Sequence, residues 1–436
     1  MAVFVLDKSG KPLMPCSEKR ARLMLDRGRA RIHRVLPFVI RLVDRKAGNS
    51  EFQPIRLKLD PGSKITGIAL VMEKKEAITV LNLFDLVHRG HQISKALASR
   101  RALRRGRRSR NLRYRAPRFL NRGNKGLGWL APSLMHRVHT TLSWVKKRLQ
   151  RWVPISTLST ELVRFDMQLM QNAEISGVEY QQGELQGYEV REYLLEKWGR
   201  KCVYCDKQDL PLQAEHIVTK ANGGSSRVSN LTLACQPCNQ KKGSQDIREF
   251  LKHDPARLSR ITAKAKAPLR DAAAVNATRW KLLESLKETG LAVEASTGGR
   301  TKFNRSRLGI PKTHALDAVC VGEVNAVADW QRPTLEIKCS GRGSYQRTSV
   351  TAQGFPRGYL MRQKQVHGFQ TGDLVKAVVH SGKKAGTHVG RVAIRASGSF
   401  NIQTSEGVIQ GIAHRHCSIM QRNDGYGYSI RGLQGE

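Results

Sequence analysis

Acid is scarce in this sequence relative to base. Across 436 residues, Asp and Glu number 35 against 76 Lys and Arg, a formal net charge of +41 at pH 7. So large an imbalance works against a compact state unless a polyanion shares the structure, and nucleic acid is the obvious polyanion. Long apolar runs are missing too. Nowhere do about 18 consecutive apolar residues occur that could cross a bilayer, and the opening "MAVFVLDKSGK" reaches a charge at Asp7. No membrane partner is therefore expected, and a cytoplasmic location is. Cysteine is present but not as a disulfide framework: of eight, four fall in two C-x-x-C pairs, while Cys16, Cys320, Cys339 and Cys417 are scattered. That pattern suits a metal site in a reducing compartment. There is no internal repeat, and the length suits two to four compact modules.

What is there changes in texture along the chain. "KPLMPCSEKRARLMLDRGRARIHRVLPFVIRL" reads as a Pro-bounded turn, a helix from Ser17 to Arg27 stopped by Gly28, and a β-rich run ending near Leu42. "PIRLKLDPGSKITGIALVMEKKEAITVLNLFDL" reads as two or three strands joined by tight turns, with Asp60 closing the first. From Ser99 to Arg122 there are eleven arginines and no acid, the mark of a long arginine-rich helix. Further helix is expected from Trp129 to Leu149, a strand ending at or near Glu161, an amphipathic helix over 188–199, and basic helical sequence from about 245 to 290. A loop then enters a helix on which His314 and Asp317 stand three apart, hence on one face. Beyond 341, short strands with Gly-rich turns suggest a small β-barrel.

Two clusters carry chemistry. Cys202-x-x-Cys205 and Cys235-x-x-Cys238 are separated by 29 residues, a usual spacing for a closed tetrahedral zinc site. With the zinc satisfied by sulfur, Glu215, His216, Asn230 and Asn239 need another explanation. A β-hairpin carrying Glu-His, then a Gly-rich loop and a helix starting at Cys-x-x-Cys-Asn, resembles the HNH nucleases with their ββα-metal fold, over Cys202 to Gly243. The resemblance implies that His216 is the general base for the attacking water and that Glu215 and Asn239 hold one Mg²⁺. It implies that Asn230 pins the loop carrying His216.

The second cluster is dispersed in sequence. Two-metal phosphodiester hydrolysis needs carboxylates converging from strand ends and a facing helix, so that two Mg²⁺ ions sit about 4 Å apart. Asp60, Glu161, His314 and Asp317 meet that requirement as an ordered set. "KLDPGSKITGIAL", "STELVRF" and "PKTHALDAVCVG" resemble the three motifs of split RuvC-type, RNase H-like nucleases, in which Asp60, Glu161 and Asp317 would hold the two magnesium ions.

An HNH module between the second and third RuvC motifs, an arginine-rich helix after the first and a leading "KPLMP" segment together resemble IscB, the transposon-associated RNA-guided nucleases related to the CRISPR RNA-guided enzymes. The fold class implied is a multidomain α/β and α+β chain. An RNase H-like mixed sheet is split by the arginine-rich helix and by the inserted ββα-metal domain, and a small C-terminal β-barrel-like module follows. The expected divisions are 1–52 for the N-terminal basic module, 53–88, 123–180 and 276–340 for the three RuvC parts, and 89–122 for the bridge helix. The HNH domain with its zinc clip is expected over 181–275, and the β-rich RNA- and target-adjacent-motif-interacting module over 341–436. The implied partners are a long noncoding guide RNA (omega RNA) and double-stranded target DNA, in a monomeric ribonucleoprotein acting at the nucleoid of a prokaryotic cytoplasm. HNH would cut the guide-paired strand and RuvC the displaced one, with base pairing reading most of the sequence. Arg100, Arg101, Arg104, Arg105, Arg107, Arg108, Arg110 and Arg113 recur around much of one helix, which suits a rod between phosphate backbones. Only 38 residues separate Arg122 from Glu161, too few for a large recognition lobe, so the RNA would supply much of its own scaffold. Two alternatives are a guide-free HNH/RuvC-type DNA nuclease and a nuclease-inactive RNA-guided DNA-binding protein.

Overall fold

A computed structural model of the chain describes residues 1–74, 76–109, 129–162, 194–195, 197–224, 228–266, 270–340, 348–351, 355–359, 361 and 363–432. The N-terminal residues form a four-stranded sheet in the order Pro12–Cys16, Val3–Leu6, Val39–Leu42, Ala30–Arg34. The helix Glu18–Asp26 is capped by Ser17, whose hydroxyl accepts from the Arg20 amide at 3.3 Å, and Gly28 turns the chain out of it at φ +67°. The Pro-bounded stretch expected as a turn is itself the strand Pro12–Cys16. It lies at the sheet edge, where proline's missing N–H costs no ladder bond.

An eight-stranded mixed sheet organises the rest. Its path runs Ala292–Ser296, Ile155–Glu161, Ile55–Pro61, Ile65–Glu73, Ile78–Val87, Thr334–Cys339, Tyr426–Arg431, with Val327–Ala328 also pairing on Ile78–Val87. The three strands from Ile55 to Val87 form an antiparallel meander, as their alternating turns predict. Ile155–Glu161 joins parallel to Ile55–Pro61, and Ala292–Ser296 parallel to Ile155–Glu161. The central strands are apolar on both faces because both are covered. Trp144, Leu149, Leu282 and Leu286 pack with Leu57, Leu59 and Phe84 on one side, while Ala315, Leu316, Ala318 and Val319 pack with Ala69, Val71 and Val80 on the other. Tyr426–Arg431, which the sequence placed with the terminal β module, instead pairs antiparallel with Thr334–Cys339 of this large sheet.

The arginine-rich stretch is helical over Gly90–Ser109, with Arg100, Arg101, Arg104 and Arg105 exposed. Arg107 and Arg108 belong to the same helix, and Arg110 and Arg113 lie outside the described residues. So does most of the amphipathic helix expected over 188–199. Leu212–His216 and Leu231–Cys235 form a hairpin in the register His216 to Leu231, followed directly by the helix Gln236–Lys242. Toward the C-terminus, Val408–Ala413, Ser399–Gln403, Gly386–Ala393, Leu374–Val379 and Cys417–Gln421 form, in that order, a five-stranded antiparallel sheet. Among the described residues no helix is long and apolar enough to cross a membrane.

Candidate active sites

The first site grows from the parallel pairing of two strands. Leu59 stands opposite Thr160, so Asp60 and Glu161, one residue further on each, emerge at the same end of the sheet. The helix His314–Val319 delivers His314 and Asp317 to that end. Thr313 caps it by accepting from the Leu316 amide at 3.2 Å. Gly67, opposite Asp60 on the next strand, makes the approach possible: a Cβ there would lie 1.8 Å from the His314 carbonyl oxygen. At its other end the helix is held by Lys58. This lysine is 1% exposed, and its Nζ donates to the Val319 and Val321 carbonyls at 3.2 and 2.7 Å. Burial brings its pKa down to about 8.

The carboxylates feel one another. Burial first, then the Asp60 charge, raises Asp317 to about 6, with Arg305 and Lys312 acting against this. Arg305 Nε lies 2.9 Å from Asp317 Oδ1, close enough for an ion pair but without hydrogen-bond alignment. Glu161 keeps some exposed surface, yet its carboxyl end is sunk. Burial and then Asp60 push it up to about 8, against a hydrogen bond from Thr301. The wall beside it is close: a Cβ on Gly298 would sit 2.9 Å from Glu161 Oε1, so a side chain there would push the carboxylate aside. His314 Nδ1 is 3.7 Å from Asp60 Oδ2, and attraction to Asp60 raises the imidazole above its ordinary value, burial working the other way.

One member of this group was missed in the sequence. Asp85 pairs in register with Gly67, is 8% exposed, and accepts the Ala315 amide at the start of the same helix. Burial raises its pKa. The available signal was an acid inside the otherwise apolar strand "ITVLNLFDLV".

An assembly of acids that hold protons near neutrality fits a divalent cation, whose charge relieves both the repulsion and the burial cost. Mn²⁺ binding to these residues is accordingly expected to tighten as pH rises from about 6 to about 8. Across that interval the protons on Asp317 and Glu161 stop competing with the ion. Isothermal titration at several pH values measures it, and affinity that is flat over this interval would contradict the assignment.

The second site is the hairpin and helix at 212–242. His216 ends its strand, and the chain after it is clamped by Asn230. The Oδ1 of Asn230 accepts from the Val218 amide at 2.8 Å, and its Nδ2 donates to the Val218 carbonyl at 2.9 Å. Burial, then Lys220, lowers the His216 pKa, so the ring is neutral near pH 7 and able to accept a proton. Glu215, the neighbouring strand position, points inward and is 5% exposed. Tyr204 donates its hydroxyl to Glu215 Oε2 at 2.7 Å, and Lys242 Nζ lies 2.5 Å from Oε1 while also donating to the His216 carbonyl at 3.0 Å. As a metal ligand, Glu215 would exchange the Lys242 ammonium for the ion. Asn239 faces the strand, donating to Gln213 Oε1 at 2.8 Å. Lys242→Met, leaving the buried Glu215 carboxylate without its cation and with only the Tyr204 hydroxyl, is expected to cost about 3–5 kcal/mol of stability in the denaturant unfolding of this unit. A change under about 1 kcal/mol would show the pair to be unimportant.

Cys202, Cys205, Cys235 and Cys238 converge beneath the hairpin, their sulfurs all within 4.8 Å of one another and those of Cys205 and Cys235 3.7 Å apart. Tetrahedral metal–sulfur bonds of about 2.3 Å place sulfurs about 3.8 Å apart, so the set fits zinc.

Residues 3–183 match the family model described as RRXRR protein, and residues 202–255 that described as HNH endonuclease. No curated protein matches. Among solved structures, Streptococcus thermophilus Cas9 in complex with the GGAA PAM is similar at 12% identity and a TM-score of 0.24, over 60% of this chain and 32% of that one. The Type II-C Cas9 enzyme from Actinomyces naeslundii is similar at 18% identity and a TM-score of 0.16, over 44% of this chain and 27% of that one. The chain thus spans about a third of the length of these structures. An RRXRR segment leading into an HNH endonuclease domain is the make-up that fits the IscB/Cas9-like nucleases.

Proposed function

We propose that this chain is an RNA-guided DNA endonuclease with two nuclease centres, a RuvC-type one built on the large sheet and the HNH one inserted into it. The observation that carries the reading is topological. Glu161 and Ser296 are register partners on adjacent strands, and the entire hairpin, cysteine cluster and His216 lie in the chain between them. One acidic site therefore encloses another catalytic module in its connectivity, which suits two cuts on two strands held apart.

At the sheet, Asp60, Glu161 and Asp317 would hold two Mg²⁺, with His314 poised beside Asp60. At the hairpin, His216 takes the proton of the attacking water, Asn230 fixes its loop, and Asn239 with Glu215 would hold one Mg²⁺. Bound there, the ion supplies charge for the phosphate and the leaving oxygen. The four cysteines would hold a structural Zn²⁺. The exposed arginines of Gly90–Ser109 have no acid between them to neutralise their charge, and they suit the phosphates of a guide RNA (omega RNA). The five-stranded terminal sheet, read as a barrel-like module, would contact RNA and the target-adjacent motif. The whole would act as a monomeric ribonucleoprotein in the cytoplasm, HNH cutting the guide-paired strand and RuvC the displaced one.

The test is to purify the chain from cells and sequence what comes with it. A discrete RNA is expected, and treatment with ribonuclease should abolish cutting of matched duplex. Equal cutting by RNA-free protein would sink the guided reading and leave a guide-free nuclease.

A further inference from the structure

A second group of metal-binding side chains lies away from both sites, at the root of the arginine-rich helix. His88 follows the strand Ile78–Val87 and stands two residues before the helix Gly90–Ser109. His136 is on the helix Pro132–Trp144, and Cys339 ends the strand Thr334–Cys339. One donor atom from each lies within 4.8 Å of the other two.

The hydrogen bonding of His88 is that of a ligand. His88 is 8% exposed, and its Nε2 lies 2.8 Å from the hydroxyl of Thr66, itself 1% exposed. Its Nδ1 is buried with no hydrogen-bond partner. An imidazole whose outer nitrogen is fixed by an oxygen while the inner one is left bare is the arrangement that orients a metal-bound histidine. An orphaned buried ring nitrogen is otherwise a net cost. The Nε2 of His136 accepts the Arg89 amide at 3.1 Å, so it is the nitrogen carrying a lone pair, and its Nδ1 faces Thr140 Oγ1 at 3.4 Å. Cys339 is 6% exposed and unbridged.

We propose that His88, His136 and Cys339 form a metal site for a borderline-soft transition ion, zinc above all, which staples the start of the arginine-rich helix to the large sheet. Two imidazoles and one thiolate are a donor set for zinc, whereas magnesium and calcium take oxygen. On binding, the Cys339 thiol releases its proton to solvent and forms the metal–sulfur bond, and His136 exchanges the Arg89 amide for the ion. A divalent ion with one thiolate carries a net single positive charge. Arg89 and Arg137 flank the group, and the thiolate of Cys339 halves the charge that a divalent ion adds beside them.

The test counts metal in the full chain after magnesium is removed, by mass spectrometry for zinc and by Co²⁺ titration. A chain in which Cys202, Cys205, Cys235 and Cys238 are all changed to Ser, which lacks the four-sulfur site, should still take up, beyond any ions at the carboxylate sites, about one equivalent of Co²⁺ that carries a thiolate-to-cobalt absorption band. Adding Cys339→Ala should remove that equivalent and the band, and His88→Gln should weaken formation of the band at least tenfold. No thiolate-to-cobalt band in the chain lacking the four-sulfur site overturns the proposal. So does a band that Cys339→Ala leaves unchanged. If the four-sulfur variant does not fold, the wild-type chain decides instead: one equivalent lost to His88→Gln supports the site, and cobalt content indifferent to His88→Gln and Cys339→Ala sinks it. Failure of RNA to co-purify bears only on guiding and leaves this count untouched.

Discussion

His216→Ala is expected to turn a double-strand cut into a nick, with cleavage of one strand slowed about 10²–10⁴-fold and the other strand cut at its usual rate. The expectation rests on the position of the ring. Burial and the neighbouring Lys220 and Lys242 favour its neutral form, and the Asn230 clamp on Val218 fixes the backbone that presents it. The substitution removes a proton acceptor without touching the pair of Lys242 with Glu215 or the four cysteines, so the unit should keep its fold. Denaturing electrophoresis of a duplex labelled separately on each strand reads the effect. Loss of both cuts, or of neither, would break the assignment.

Asp60→Ala should give the complementary nick. Asp60 is the charge that Glu161, Asp317 and His314 all sense, so its loss strips the acidic site of a ligand and of its electrostatic centre together. If the site holds two ions as proposed, removing one carboxylate is expected to cost about 4 kcal/mol of transition-state stabilisation, roughly a thousandfold in rate. The remaining acids should also respond. Without the Asp60 charge, Glu161 and Asp317 titrate at lower pH and His314 loses the partner that raises it. Strand-resolved rates, with NMR titration of His314 in the same variant, check both halves. An unchanged His314 together with an unchanged rate would place the chemistry elsewhere.

The sites differed in how much of them could be read in advance, and the reasons are physical. The four cysteines were legible because a turn at 203–205 and the first turn of the helix Gln236–Lys242 fix the spacing of each pair locally. Asp60 and Glu161 were legible because a strand end is a local event, whereas the parallel pairing that brings them together is a long-range contact that only the structure gives. Asn230 was assigned to the loop of His216 from a resemblance, and it lies against that loop. The inward turn of Glu215 toward Lys242 was not legible, because it depends on how the helix Gln236–Lys242 packs on the hairpin. Asp85 escaped because no motif spacing marks it. The pairing of Tyr426–Arg431 with Thr334–Cys339 escaped because it joins segments separated by an entire second sheet. Similarly, Cys339 read as a scattered cysteine until strand and helix brought it to His88 and His136.

The most direct measurement is to change the guide. The co-purified RNA is remade with its guide segment replaced, the ribonucleoprotein is reassembled, and a duplex carrying both the old and the new matching sites is mapped on each strand. The account predicts that both cuts leave the old site and appear together at the new one, with His216→Ala and Asp60→Ala each erasing one of the two. Cuts that stay at the old site, or that appear without RNA, would contradict it.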